Sequence, residues 1–371
     1  MSHVERVAIS DYKGLRSVDL DCGQFTVLTG RNGAGKSSVL EAIELAHRPQ
    51  SLERHGKHVS QVINREASTA EITAEMADGT ALSATVRPPD MRSKRSLIKY
   101  ILLMNVFVGR EGANGRYFRL DEEVAHVERL LGEVRVDDRL LEELDIDDRV
   151  VTVDWNGDTY RYAWSIEDTD EIDLDLIDVA DEIVERIDGI DGDYELSLAS
   201  HPPEGVFLDG EPDAQRVEYL FPTDPARDTP RAEDALGFVR VREFLNEHDV
   251  FPGKTVASFD FDELVFADDG ERYALPYQFL GDGTKLIAEL VWQLVGDEEL
   301  PDVVLMEEPE THLHPGYVKQ LVTFLIEFAR EEDVQLFLTT HNVDFVKELF
   351  NDSTAGDHRD WLTEEFRLVQ M

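Results

Sequence analysis

Basic residues are scarce in this chain, and cysteine is nearly absent. Its 371 residues hold 36 lysines and arginines against 79 acids, a formal net charge of −43. That balance excludes a globally basic binder of nucleic acid or of an anionic membrane surface. Lysine is the rarer base, nine against 27 arginines, and the acids run along nearly the whole chain rather than gathering in a tail. In molar salt the Debye length is roughly 3 Å, so a carboxylate-covered surface is largely screened and stays hydrated. The composition is that of a salt-adapted, halophilic cytosol. A single cysteine, Cys22, excludes an intrachain disulfide and any site built from several thiolates, and fits a reducing interior. Long apolar runs are missing too. The best, 100–108, is far too short to span a bilayer, and the N-terminus lacks the apolar core of a signal peptide. A soluble, cytoplasmic protein with no membrane partner is expected. At 42% hydrophobic the chain is not disordered by composition, and its length allows two or more cores.

The first fifty residues read as strand, turn, strand, strand, loop, helix. Runs 4–9 and 25–29 are apolar and rich in β-branched residues, and 37–46 carries Val39, Leu40, Ile43 and Ala46 at helical spacing. Segments 71–76 and 81–86 alternate around Asp78-Gly79, a hairpin dipeptide, which predicts a small antiparallel layer. A second hairpin, 150–155 with 159–166, turns at Asn156-Gly157, and a third turns at Asp269-Gly270. Helices are predicted at 122–131, 176–187 and 232–246, with a boundary in the proline- and aspartate-rich stretch 221–231. Further on, a helix carrying Leu286, Ile287, Leu290, Val291 and Leu294 on one face precedes strand 303–306. A helix after Pro315, strand 336–339 and a helix over 342–350 complete an alternation that predicts a mainly parallel sheet. Three regions follow: 1–120, an acidic inserted subdomain over 121–230, and 231–371. Within the insertion, 167–195 holds fourteen acids and one base and does not fit a calcium loop; it reads as a solvated face. The one basic stretch is 87–119, with Arg87, Arg92, Lys94, Arg95, Lys99, Arg110, Arg116 and Arg119.

Gly30-Arg31-Asn32-Gly33-Ala34-Gly35-Lys36-Ser37 fits the phosphate-loop pattern GxxxxGK[ST], after a predicted strand and before a predicted helix. Glycines let backbone N–H groups wrap phosphates, and the helix N-terminus adds a positive dipole there. Lys36 is placed to bridge the β- and γ-phosphates of ATP and Ser37 to coordinate Mg²⁺. Such a loop needs an acidic partner at a strand end, which Glu307 and Glu308 supply after the apolar run 303–306. They divide the work, Glu307 holding the Mg²⁺ shell and Glu308 orienting the attacking water. His341 follows the strand over 336–340, at the sheet edge where ligands gather, and is placed to sense the γ-phosphate; a structural role is the other reading of a lone histidine. His312 and His314 beside Glu310 make a weak metal set, and packing or dimer contact explains them better.

Taken as an ordered set, GRNGAGKSS, LGDGTK, VVLMEEPETHLHP and FLTTHN, together with the opening VAISDYKGLRSVDLD and FTVLTGRNGAGKSSVLEAI, resemble the ABC-type ATPase heads of the RecF/SMC/OLD group. The EEPETHLHP form is most like the OLD-like proteins often labelled AAA-type ATP-binding, and the resemblance covers about 1–90 and 255–350. It implies an α/β P-loop NTPase, a two-lobed head with a mixed sheet, a small antiparallel layer and the acidic α+β insertion. ATP would be bound by Gly30 to Ser38, Ser38 included. Gly281, Asp282 and Gly283 of a second copy would complete the site, giving an ATP-induced homodimer. A helix opening after Gly283 is an anion site on physical grounds alone. Pro309 to His314 resembles the loop that reaches across such a dimer. Gly281 replaces the usual signature serine and Glu307 the usual Walker B aspartate, so slow turnover is expected. Gln61 is the best-situated candidate for the Q-loop glutamine. Some OLD proteins carry a nuclease domain after the head, and 342–371 is too short for one. The charge pattern together with the resemblance suggests a halophilic archaeon. Two roles stay open: DNA maintenance or anti-phage defence by an active ATPase, or a regulatory ATP-binding scaffold with little turnover that controls a separately encoded nuclease or toxin. The basic stretch either touches DNA or pairs with the acidic insertion, the second being favoured because phosphate contacts weaken as salt rises.

Overall fold

A computed structural model of the chain describes residues 2–94, 149–164, 205–208, 212–213, 216–220, 235–247, 250–251, 253–268, 271–296, 299–311, 313–351 and 356–371. The element labels below number what lies within those residues. The chain opens with strands β1 (Val4–Tyr12) and β2 (Leu15–Asp21), a hairpin whose inward residues Val4, Val7, Ile9 and Tyr12 are buried while their neighbours face solvent. β1 also pairs antiparallel with β4 (Ala70–Met76), and β4 with β5 (Ala81–Arg87) around Asp78-Gly79 as the dipeptide predicts. The second predicted hairpin, β6 (Val150–Trp155) and β7 (Asp158–Trp164), turns through Asn156 and Gly157, both at positive φ, the geometry an Asn-Gly turn favours. It does not stand apart: β6 pairs with β5 and β7 with β8 (Gly205–Phe207), so the antiparallel layer is a seven-stranded sheet.

A second sheet is parallel throughout, in the order β15 (Phe366–Gln370), β3 (Phe25–Thr29), β14 (Gln335–Thr340), β13 (Val303–Glu307), β9 (Val217–Leu220). Among the described residues, parallel and antiparallel strands are thus segregated into separate sheets rather than mixed in one. The α/β class read from the motifs is the one found. Described parts of the predicted insertion supply β6, β7 and β8 to one sheet and β9 to the other. The helices predicted at 122–131 and 176–187, the acidic run 167–195, and the basic residues from Arg95 onward lie outside the described residues.

Both faces of the parallel sheet are covered, which explains its near-continuous apolar strands. Leu28, Val303, Leu305 and Phe337 face helix α1 (Lys36–His47) and the antiparallel sheet. Phe25, Val27, Val304, Met306, Leu336 and Leu338 face the opposite way, onto α2 (Ala235–Glu247), α3 (Asp282–Val295) and α4 (Pro315–Glu331). A three-stranded antiparallel sheet, β10 (Thr255–Phe259), β11 (Glu263–Asp268) and β12 (Glu271–Pro276), packs beside those helices and contains the third hairpin. Two short helices, α5 (Val343–Leu349) and α6 (Arg359–Glu365), follow β14. Cys22 is buried, and loss of hydration pushes its thiol up to about 12, so it stays an inert core residue. Among the described residues, no helix is long and apolar enough to cross a membrane.

Candidate functional site

β3 ends at Thr29, α1 starts at Lys36, and the loop between them is held by glycines where no other residue fits well. Gly33 and Gly35 have φ of +79° and +94°, and a Cβ on Gly35 would lie 2.4 Å from Leu15. α1 has no side-chain cap and no acid in its first turn, so its first amides and the positive end of its dipole are left for an external anion. Lys36 is only 6% exposed, and its ammonium rests on the loop's own carbonyls, donating to Gly30 at 3.1 Å and Arg31 at 3.4 Å. An anion with stronger acceptors could draw it off them.

The Walker B edge meets this loop directly. Ser37 Oγ donates to Glu307 Oε2 at 2.8 Å, joining α1 to the end of β13 across 270 residues of sequence. A hydroxyl and a carboxylate oxygen side by side, with a helix N-terminus at hand, are a donor set that fits a hard divalent cation and a polyphosphate. The other oxygen, Glu307 Oε1, accepts from Tyr219 Oη at 2.5 Å. Burial, and then this donation, push the Tyr219 phenol well above its ordinary range, so it stays a protonated donor.

Glu308 turns sharply away from the strand. Its φ of 46° is left-handed, a conformation costing a non-glycine residue about 1–3 kcal/mol. The turn is held by its N–H, which donates to Thr339 O at 2.9 Å and is shared with Thr339 Oγ1 at 3.2 Å. Its carboxylate then meets His341, with Nδ1 to Oε1 at 2.9 Å. The two residues predicted to act on the attacking water and the γ-phosphate are therefore partners. Behind them, Glu310 is buried and accepts from the Thr340 hydroxyl, and its second oxygen has no hydrogen-bond partner. Burial raises its pKa. The same Thr340 hydroxyl accepts from Asn342 N–H at 2.9 Å, which fixes the turn carrying His341.

The signature segment lies elsewhere. Gly281 precedes α3 without a side-chain cap and is exposed, and a Cβ there would meet only Tyr317 Oη, at an ordinary contact distance of 3.5 Å. Gly283 packs tightly, since a Cβ there would lie 2.5 Å from the Tyr317 ring. α3 itself begins at Asp282, and the preceding Phe279 is 76% exposed. His314 caps α4, its Nδ1 accepting from Gly316 N–H at 3.2 Å, so this nitrogen is spent on the helix rather than on a metal. His312 lies outside the described residues, and among those described no group of three or more His, Cys, Asp or Glu residues is arranged to hold a metal. Gln61 is exposed on the 3-10 segment Pro49–Val62. Lys94 is buried rather than presented to solvent.

Tyr219 and its neighbour Arg54 carried no motif. The guanidinium of Arg54 lies 4.1 Å from the centre of the Tyr219 ring and pairs with the fully buried Glu44 of α1 at 2.7 Å. The only signal for Tyr219 was its place in the short apolar run just before the proline-rich boundary.

Residues 25–76 and 130–346, more than half of the chain, match the family described as "AAA domain, putative AbiEii toxin, Type IV TA system". No curated protein matches the sequence. Among solved structures the chain is similar to the SMC head domain from Thermotoga maritima, at 13% identity over 93% of this chain and 92% of that one, with a TM-score of 0.45. It is also similar to the Smc head domain with an extended coiled coil bound to the C-terminal domain of ScpA, from Pyrococcus furiosus, at 14% identity over 94% and 92%, with a TM-score of 0.41. With its phosphate loop between β3 and α1 and its acidic pair at the end of β13, the chain belongs to this family of AAA-type, ATP-binding P-loop NTPases.

Proposed function

We propose that this chain is a Mg²⁺-dependent ATPase head that pairs with a second copy on ATP and separates after hydrolysis. The observation that carries the reading is the convergence on one sheet edge of Ser37 with Glu307 and of Glu308 with His341. Gly30 to Ser38 bind the triphosphate through backbone amides and the Lys36 ammonium. Ser37 and Glu307 hold Mg²⁺, which when bound neutralises charge on the phosphoryl group being transferred. Glu308 orients the attacking water and takes its proton. His341, 2.9 Å away, keeps that carboxylate aimed and is the residue placed to register loss of the γ-phosphate.

The second half of the site comes from another copy. Gly281, Asp282 and Gly283 open a helix without a side-chain cap, so its first amides and its dipole are available to a partner's γ-phosphate. The direct test is phosphate release with Mg-ATP. Wild type is expected to turn over slowly, Lys36→Ala to bind no ATP, and Glu308→Gln to bind ATP without releasing phosphate. Full turnover by Glu308→Gln would reject the assignment of the base.

Among the cellular roles left open, control of a separately encoded effector in defence is favoured over a clamp on DNA. The matching family is described by a toxin–antitoxin system, and Lys94, part of the basic stretch weighed for contact with DNA, is buried. A co-purifying effector supports this role; ATP-dependent retention of DNA that survives molar KCl rejects it.

A further inference from the structure

The contacts around Glu307 close into a ring. Ser37 donates to Oε2 at 2.8 Å and Tyr219 to Oε1 at 2.5 Å. The Tyr219 ring lies under Arg54 at 4.1 Å, and Arg54 pairs with Glu44 at 2.7 Å. Glu44 is on α1 seven residues after Ser37, two turns along the same helix face, so the ring begins and ends on the phosphate-loop helix. Tyr219 reaches Glu307 from β9, which pairs parallel with β13 and sets Tyr219 opposite Leu305. The sheet register therefore determines how far the hydroxyl reaches.

Glutamate at the end of β13 raises a geometric problem. Its side chain has one more rotatable bond than an aspartate and can present either oxygen, or neither, to Ser37. A second donor on the far oxygen removes that freedom, provided the donor is itself fixed. Arg54 over the ring and the buried Glu44 behind it fix the phenol. We propose that Tyr219 is a positioning residue for the metal-holding carboxylate: by engaging Glu307 Oε1 it leaves Oε2 aimed at Ser37 and at Mg²⁺. The inference rests on the reading of this site as an ATP and Mg²⁺ site, and it adds to that reading a residue with no role in binding the nucleotide itself.

The test compares Tyr219→Phe with wild type by titrating Mg²⁺ into protein holding a fluorescent ATP analogue, and by measuring affinity for that analogue in EDTA. A hydrogen bond to a charged group makes a difference of about tenfold or more. Tyr219→Phe is expected to need about tenfold more Mg²⁺ for half-saturation, with affinity in EDTA unchanged. In a Glu307→Ala background the same substitution should change nothing further, since the group it positions is gone. An unchanged Mg²⁺ requirement, an equal loss of affinity in EDTA, or a further loss in the Glu307→Ala background each overturns the role. A wild type that binds no nucleotide, or binds it equally well as Lys36→Ala, instead overturns the ATP reading and this inference with it.

Discussion

The phosphate loop and the signature turn are both glycine-rich openings of helices, yet their surroundings differ sharply. Around α1 the side chains are already satisfied within one copy: Lys36 on its own loop, Ser37 on Glu307, Glu308 on His341. Around α3 the opening is bare. Gly281 is exposed, Phe279 is exposed, and every residue of β12 leading to them faces solvent. Under the proposed function, the first opening takes the ligand and the second takes the partner. The lysines differ too: Lys36 is buried and lies on the carbonyls of the loop itself, whereas Lys285 in the first turn of α3 donates back to Gln278 O at 3.2 Å. Nucleotide affinity should therefore belong to the loop, and pairing to the turn.

Four substitutions test that division, beginning with the largest effect. Lys36→Ala removes the one ammonium at the loop, and calorimetry should show ATP affinity down by about 100-fold or more, with pairing lost as a consequence. Glu308→Gln keeps the shape of the side chain and removes its basicity. Phosphate release should fall by about 100-fold while ATP affinity stays within about twofold. Gly281→Asp puts a carboxylate where a partner's phosphate is expected, at a position with room for a Cβ. ATP binding by the single copy should be unchanged, and ATP-induced pairing weaker by about tenfold in a dilution series. Equal losses in binding and pairing would break the comparison. Gly283→Ala is the structural contrast, because its Cβ meets the Tyr317 ring at 2.5 Å and the variant should melt earlier.

Glu310 gives the smallest effect and sharpens the comparison through pH. Burial raises its pKa, so the folded state holds this proton more tightly than the unfolded state does. Its ionisation therefore costs stability as pH rises from the ordinary glutamate range through the raised folded value, and costs nothing below that range. Glu310→Gln still accepts from Thr340 but does not ionise. It should melt with wild type in acid and about 2–4 °C above it at pH 8. An identical difference at both values would show that the effect is packing rather than charge.

Much of the loop half was legible in the sequence, because its chemistry is local. A strand, a glycine loop and a helix are contiguous from Phe25 to His47, and their pattern names both the structure and the ligand class. Glu307, Glu308 and His341 were legible for a related reason: each sits just past an apolar run, and apolar runs in a parallel sheet end on one edge. Tyr219 was not, since its importance lies in a parallel pairing of β9 with β13 that no local pattern encodes. Arg54 was hidden similarly, on a 3-10 segment outside every motif. Hairpin dipeptides located three turns but said nothing of what the strands would pair with next, so a small layer grew into a seven-stranded sheet. β15, paired with β3 near the C-terminus, is short and half-exposed and carries no strong alternation.

The central claim is that a triphosphate is held between the glycine loop of one copy and the turn before α3 of another. Light scattering in molar KCl, with and without Mg-ATP, on wild type, Lys36→Ala and Glu308→Gln tests it most directly. The account predicts a nucleotide-dependent doubling of mass for wild type, a stable doubled mass for Glu308→Gln, and a single copy for Lys36→Ala. A single-copy mass for all three under every condition, from proteins that bind ATP as expected, would contradict it.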